Sequence, residues 1–125
     1  MYDQRDIVLI PIPFSDLSSR KRRPVIVISN DEYNHDNLDI VVAALTSNLS
    51  YENNYCVEID QNNIEGGKLP KKSKIRCDKI YTVSKSIVLR KYDKVKADTF
   101  KTVQQKIKLL IEMESLKFGA IPCAS

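Results

Sequence analysis

Pro24-Val25-Ile26-Val27-Ile28-Ser29 is a near-continuous apolar, β-branched run of strand length, the pattern of a strand buried on both faces. Such a strand needs neighbours, and the sequence offers them on both sides. Ahead of it, Asp6-Ile7-Val8-Leu9-Ile10-Pro11-Ile12-Pro13-Phe14 is short and apolar, with prolines that push its second half toward an edge or a bulge. After it, Asp39-Ile40-Val41-Val42-Ala43-Ala44-Leu45-Thr46 repeats the apolar pattern as a third strand, and residues 55–60 alternate as a half-exposed fourth. Residues 73–82 read as a fifth strand and 87–92 as a sixth. The polar stretches 15–22 and 30–37 read as a loop and a turn region, Gly66-Gly67 as a further turn, and 68–72 as a lysine-rich loop.

The period then changes. Phe100, Val103, Ile107, Leu110, Ile111 and Leu116 recur at helical spacing, which predicts one amphipathic helix over 96–117 with lysines on its other faces. Asp98 is placed either to cap that helix or to favour its dipole from the first turn. Gly119 and Pro122 make 118–125 a flexible tail. Several short strands followed by one helix predict a mainly β domain, a strongly curved sheet or barrel with the helix packed against it. A chain of 125 residues supports one core and not two, so residues 1–117 are read as a single domain.

Composition narrows the function classes. Hydrophobic residues at 42% and charged residues at 29% suit a soluble globular chain, and no apolar run reaches membrane-spanning length. The N-terminus lacks the pattern of a secretory leader, so a cytoplasmic location is expected. Cys56, Cys77 and Cys123 form no CxxC and have only His35 to help them, which supports neither a disulfide framework nor a zinc site. Charge is unevenly spread. Residues 24–67 contain eight acids and no Lys or Arg, whereas 68–108 hold fourteen basic residues against three acids, and Arg20-Lys21-Arg22-Arg23 adds a further basic block. Gathered by the fold, these segments would attract a polyanion or an acidic partner; scattered, they are an ordinary solvated surface.

His35 lies among Asn and Asp in an expected loop and is a poor general base, and no phosphate-binding glycine motif or metal-ligand spacing is present. The remaining chemistry is Arg, Asp, Thr and Ser near strand ends: Lys21-Arg22-Arg23-Pro24, Thr46-Ser47 and Arg76-Cys77-Asp78. Period-2 geometry points Arg76 and Asp78 to one face. RNA is cut without a metal when a base takes the 2′-hydroxyl proton, cations hold the charged phosphorane and the leaving 5′-oxygen is protonated. Arg offers a permanently charged fork of donors for the phosphate. By spacing alone, however, an Arg–Asp pair in a strand is more often a supporting ion pair than a catalytic couple.

Together these segments resemble the PemK/MazF family of toxin ribonucleases, over residue 6 to about residue 111. The carriers are Asp6-Ile7-Val8-Leu9, Pro13-Phe14-Ser15-Asp16-Leu17, the run from Lys21 through Ser29, Val42-Ala43-Ala44-Leu45-Thr46-Ser47, and Ser73-Lys74-Ile75-Arg76-Cys77-Asp78-Lys79-Ile80-Tyr81-Thr82. The resemblance implies a small SH3-like β-barrel of the PemK/MazF/CcdB type with a C-terminal helix, acting as a homodimer. It implies metal-free, cofactor-free cleavage of single-stranded RNA at a short motif, leaving a 2′,3′-cyclic phosphate and a 5′-hydroxyl. Arg23 and Thr46 match the catalytic pair of MazF-type members, and Arg76 and Asp78 match the acid and base of PemK-type members. All four are expected in one site, with Lys21, Arg22, Ser47, Lys71 and Lys72 binding RNA. The implied partner is a cognate antitoxin, through which any contact with DNA would be made. One departure is Arg5, which stands where the family usually has Gly before the first acidic residue; another is the short, basic loop 15–22. The competing reading is a non-catalytic SH3-like module that binds nucleic acid or protein, since a fold does not fix a function.

Overall fold

The computed structural model describes residues 1–11 and 21–114. Its elements are β1 (Asp6–Pro11), β2 (Arg22–Val27), α1 (Asp31–Asp36), β3 (Asp39–Thr46), β4 (Cys56–Ile59), β5 (Ser73–Ser84), β6 (Arg90–Lys94) and α2 (Ala97–Ile111). The strands form one antiparallel sheet in the order β4-β5-β3-β2-β1-β6. The double-sided apolar reading of the second strand holds, because β2 lies inside the sheet and Val25, Ile26 and Val27 are fully buried.

The sheet curls until its ends meet. A bridge between Ile64, just beyond β4, and Val95, just beyond β6, joins the two edges. It is reinforced by Glu65 N–H to Lys94 C=O at 2.8 Å and Lys96 N–H to Asn63 C=O at 2.8 Å. Inside the curl, Ile7, Ile26, Ala43, Leu45, Ile75 and Val95 pack with Phe100 and Val103 of α2. On the outer face Val8, Ile10, Val25, Val27, Ile40, Val42 and Val83 make a second cluster, covered in part by Ile87 and Val88 as the chain crosses from β5 to β6. Alternate residues of β1, β2 and β3 therefore serve two cores, which is why these strands read as continuous apolar runs.

Several expectations need correction. Residues 30–37 are not a mere turn: Asn30 accepts a bond from Tyr33 N–H at 2.8 Å and caps α1, whose first turn carries Asp31 and Glu32. The sixth strand starts later than expected, because residues 85–87 form a 3₁₀ turn in which Ser84 accepts from Ser86 N–H. The described part of the helix ends at Ile111, and Asp98 sits in its first turn without capping it. Its apolar stripe is only half used: Phe100 and Val103 are buried, while Leu110 and Ile111 are exposed. Ile12 to Phe14 of the expected first strand, Leu116 of the expected helix and the tail 118–125 lie outside the described residues.

Arg5 takes a backbone conformation that glycine adopts without strain. Its φ is 81°, a left-handed conformation that costs a residue with a Cβ about 1–2 kcal/mol. The side chain offsets this by donating to Val95 C=O and to the Glu65 carboxylate, both at 2.9 Å. The Arg thus ties the start of β1 to the segment that closes the curl.

Candidate active site

Register places the candidate residues. Val25 on β2 faces Ala44 on β3, and Ala44 faces Arg76 on β5, so these side chains share one face. Two residues along, Thr46 faces Lys74 on β5, which itself faces Glu58 on β4. Arg23, two residues before Val25, continues the same face toward Thr46. An open cleft of about 430 Å³ results, lined by Lys21, Arg23, Thr46, Ser47, Arg76 and Tyr81 among others.

Asp78 reaches this site through Arg76. Ala43 of β3 pairs with Ile80 of β5 while the adjacent Ala44 pairs with Arg76, so Cys77-Asp78-Lys79 bulges out of the ladder to β3. Arg76 and Asp78 then close on each other: Nη2 donates to Oδ2 at 2.9 Å and Nε to Oδ1 at 3.3 Å. The fork is held from the loop 47–55. The Tyr51 ring lies 4.1 Å from the Arg76 guanidinium carbon, and Asn53 Nδ2 donates to Asp78 Oδ2 at 3.1 Å and to Tyr51 Oη at 2.7 Å. Lys74, only 9% exposed, donates its ammonium to Tyr51 C=O at 2.9 Å and anchors the loop from below.

The electrostatics follow from this geometry. The bond from Arg76 holds the Asp78 carboxyl below its ordinary range against the opposing effect of burial. The bond to Asp78 raises Arg76 further above its already high value. Next to them the Cys77 thiol faces the inner core, and burial pushes it up to about 12, which makes it a packing residue rather than a nucleophile.

The structure therefore brings Arg23, Thr46, Arg76, Lys21 and Ser47 into one cleft, with Asp78 behind Arg76. Arg22 and Lys71 line a second cleft that shares Arg23 and Ser47 with the first. Lys72 stands apart, 3.6 Å from Glu58. His35 is exposed on α1 beside Asp36. Sequence reasoning missed Tyr51, Asn53 and Lys74. The first two lie in a polar loop with no periodic signal, and Lys74 was hidden among neighbouring lysines; only its even spacing from Arg76 placed it on the site's face.

Comparison with known proteins agrees with this architecture. No curated protein matches the chain by sequence. Among solved structures, the Mycobacterium tuberculosis toxin MazF-mt6 is similar at 19% identity, with a TM-score of 0.68 over 84% of this chain and 94% of that one. An endoribonuclease in complex with its cognate antitoxin from a mycobacterial species is similar at 14% identity, with a TM-score of 0.69 over 87% of this chain and 93% of that one. MazE-MazF (Form-II) from Deinococcus radiodurans is similar at 17% identity, with a TM-score of 0.68 over 90% of this chain and 96% of that one. These likenesses establish the fold. The family model of the PemK-like, MazF-like toxins matches residues 3–111, and with that span the chain belongs to the PemK-like, MazF-like toxins of type II toxin-antitoxin systems.

Proposed function

We propose that this toxin is an endoribonuclease that cuts single-stranded RNA at a short motif without a metal, in the cleft bounded by Arg23, Thr46 and Arg76. The observation that carries the reading is the convergence of these three side chains, from β2, β3 and β5, on one face of the sheet. The cleft's own groups, two guanidiniums, a hydroxyl and a carboxylate, supply a base and cations for such a reaction.

The closed Arg76–Asp78 fork bears on the division of labour. A guanidinium raised above its usual value does not give up a proton near neutrality, so Arg76 acts as a fixed positive charge and not as the acid. Asp78 is a weak base while Arg76 holds it. A substrate phosphate competes for the same donors, and drawing Arg76 away removes the bonds that depress the carboxyl, leaving Asp78 able to take the 2′-hydroxyl proton. The 2′-oxygen then bonds to phosphorus and the bond to the 5′-oxygen breaks, giving the 2′,3′-cyclic phosphate and a 5′-hydroxyl. Thr46 and Arg76 donate to the phosphorane oxygens. Arg23, exposed at the rim, supports the departing oxygen, which takes its proton from solvent. Lys21 and Ser47 hold the RNA in the same cleft.

Residues 1–117 work as one domain, as a homodimer in the cytoplasm, and an antitoxin with an acidic or apolar tail silences the protein by occupying the basic cleft. A mycobacterial endoribonuclease was solved in complex with its cognate antitoxin and the Deinococcus MazF together with MazE, which supports the existence of such a partner. The non-catalytic reading has one observation in its favour: a fork clamped by Tyr51 and Asn53 is also what a purely structural ion pair looks like. The test is incubation of the purified protein with long single-stranded RNA in EDTA. Discrete fragments are expected, and Arg23→Ala should slow their formation about 10²–10³-fold with an unchanged unfolding curve, because its side chain is exposed. Wild-type protein that cuts no RNA would overturn the proposal.

A further inference from the structure

We propose that the open mouth of the curled sheet is a subsite for one nucleobase of the RNA, adjoining the nucleotide whose phosphate lies at Arg23. This rests on the ribonuclease reading and extends it to the choice of sequence. The mouth is a cleft of about 260 Å³ on the opposite side of the same strand ends from the catalytic cleft. Leu9 and Pro24 oppose each other across β1 and β2, and with Leu69, Pro70 and Tyr92 they give it apolar walls. Leu45 and Leu69 continue into the inner core, so the cleft opens onto the top layer of that core. The Arg90 guanidinium carbon lies 4.8 Å from the centroid of the Tyr92 ring and fixes it as one wall.

Three cations, Arg22, Arg23 and Lys71, stand at its lining. An apolar slot edged by guanidinium and ammonium groups suits a group that is flat and weakly solvated on its faces but tied to an anion. A nucleobase attached to a phosphodiester has that chemistry, and single-stranded nucleic acid is held by this combination of cationic track and stacking platform. Continuity with the catalytic cleft favours the same occupant. Arg23, Leu45 and Ser47 line both clefts, so a strand crossing the rim at Arg23 sets one phosphate on the outer face and tucks the next base into the mouth. Ser47, exposed at that rim, offers a hydroxyl to a base edge. The Ser73 hydroxyl is committed to Lys71 C=O at 3.1 Å and shapes the wall instead.

The test compares the cleavage motif of wild-type protein with those of Pro70→Trp, which fills the mouth from an exposed position, and Tyr92→Leu, which removes a wall. The 5′ ends of RNA fragments cut from a complex transcript pool are mapped, with circular dichroism confirming the fold of each variant. At one position next to the scissile phosphate, discrimination between bases should fall about 10- to 100-fold in a folded variant, the scale of a lost stacking contact, while preference elsewhere in the motif stays. The same motif in both folded variants overturns the subsite and leaves the ribonuclease reading standing. Absence of cutting by wild type overturns both. An unchanged motif accompanied by weakened binding of the antitoxin also overturns the nucleobase assignment, and gives the mouth to a side chain of that protein.

Discussion

Replacing Arg76 by Ala removes both bonds to Asp78 and the contact with the Tyr51 ring, leaving the carboxylate with Asn53 and its own backbone N–H. The pair's side chains are 20% and 23% exposed, sheltered enough for a two-bond, charge-assisted pair to contribute about 1.5–3 kcal/mol. The ring contact adds about 0.5–1 kcal/mol at a partly exposed site. Arg76→Ala should therefore lower stability at pH 7 by about 2–4 kcal/mol in urea unfolding. A cycle with Asp78→Ala and the double variant should assign about 1.5–3 kcal/mol of that to coupling between the two residues. The pH dependence has a definite sign. Asp78 is depressed in the folded state, so its contribution is complete above the unfolded carboxylate's value of about 4 and is lost as pH falls through the lower folded value. The gap between wild type and Arg76→Ala should hold from pH 7 to about 5 and narrow in acid. A coupling below about 0.5 kcal/mol at pH 7, or one unchanged in acid, would refute the clamped-fork geometry.

Other outcomes follow from single residues. Arg5→Gly should be more stable than Arg5→Ala by about 1 kcal/mol, since both lose the bonds to Glu65 and Val95 but only Ala keeps the strain at φ 81°; equal midpoints would argue against that backbone conformation. Gly66→Ala should cost about 1–3 kcal/mol, because a Cβ there would lie 2.5 Å from Asp93 Oδ2 and displace a carboxylate that accepts from Gly66 and Lys68 N–H; a neutral thermal shift would contradict it. Cys77, buried with its thiol pushed up to about 12, should resist iodoacetamide at pH 8 until the whole domain unfolds, while half-buried Cys56 reacts earlier. Peptide mass mapping across a urea series checks that order.

How much of this the sequence made legible depends on the kind of signal. Asp39–Thr46 was readable to the residue because its apolar run is bounded by polar neighbours on both sides. Residues 30–37 were not, since a six-residue helix has no period to detect and only Asn30 with the acids after it marks the cap. The site was half legible. Strand alternation put Arg76 and Asp78 on one side, but the bulge that turns them into a closed fork depends on how β5 pairs with β3 and leaves no mark in local spacing. Lys74 and the loop at Tyr51 meet across 23 residues of chain, a contact that only the assembled sheet reveals. The helix stripe at Leu110 and Ile111 misled in the other direction, because periodicity shows which side of a helix is apolar and not whether anything covers it.

The bridge between Ile64 and Val95 also sets an order of events. β1, made first, must wait for β6, more than eighty residues later, before both its edges are paired. Arg23, Thr46, Arg76 and Asp78 all leave the ribosome before the strand that closes the sheet. Pairings of such long range form late, so Arg23, Thr46, Arg76 and Asp78 stand on an unsealed scaffold until β6 pairs with β1.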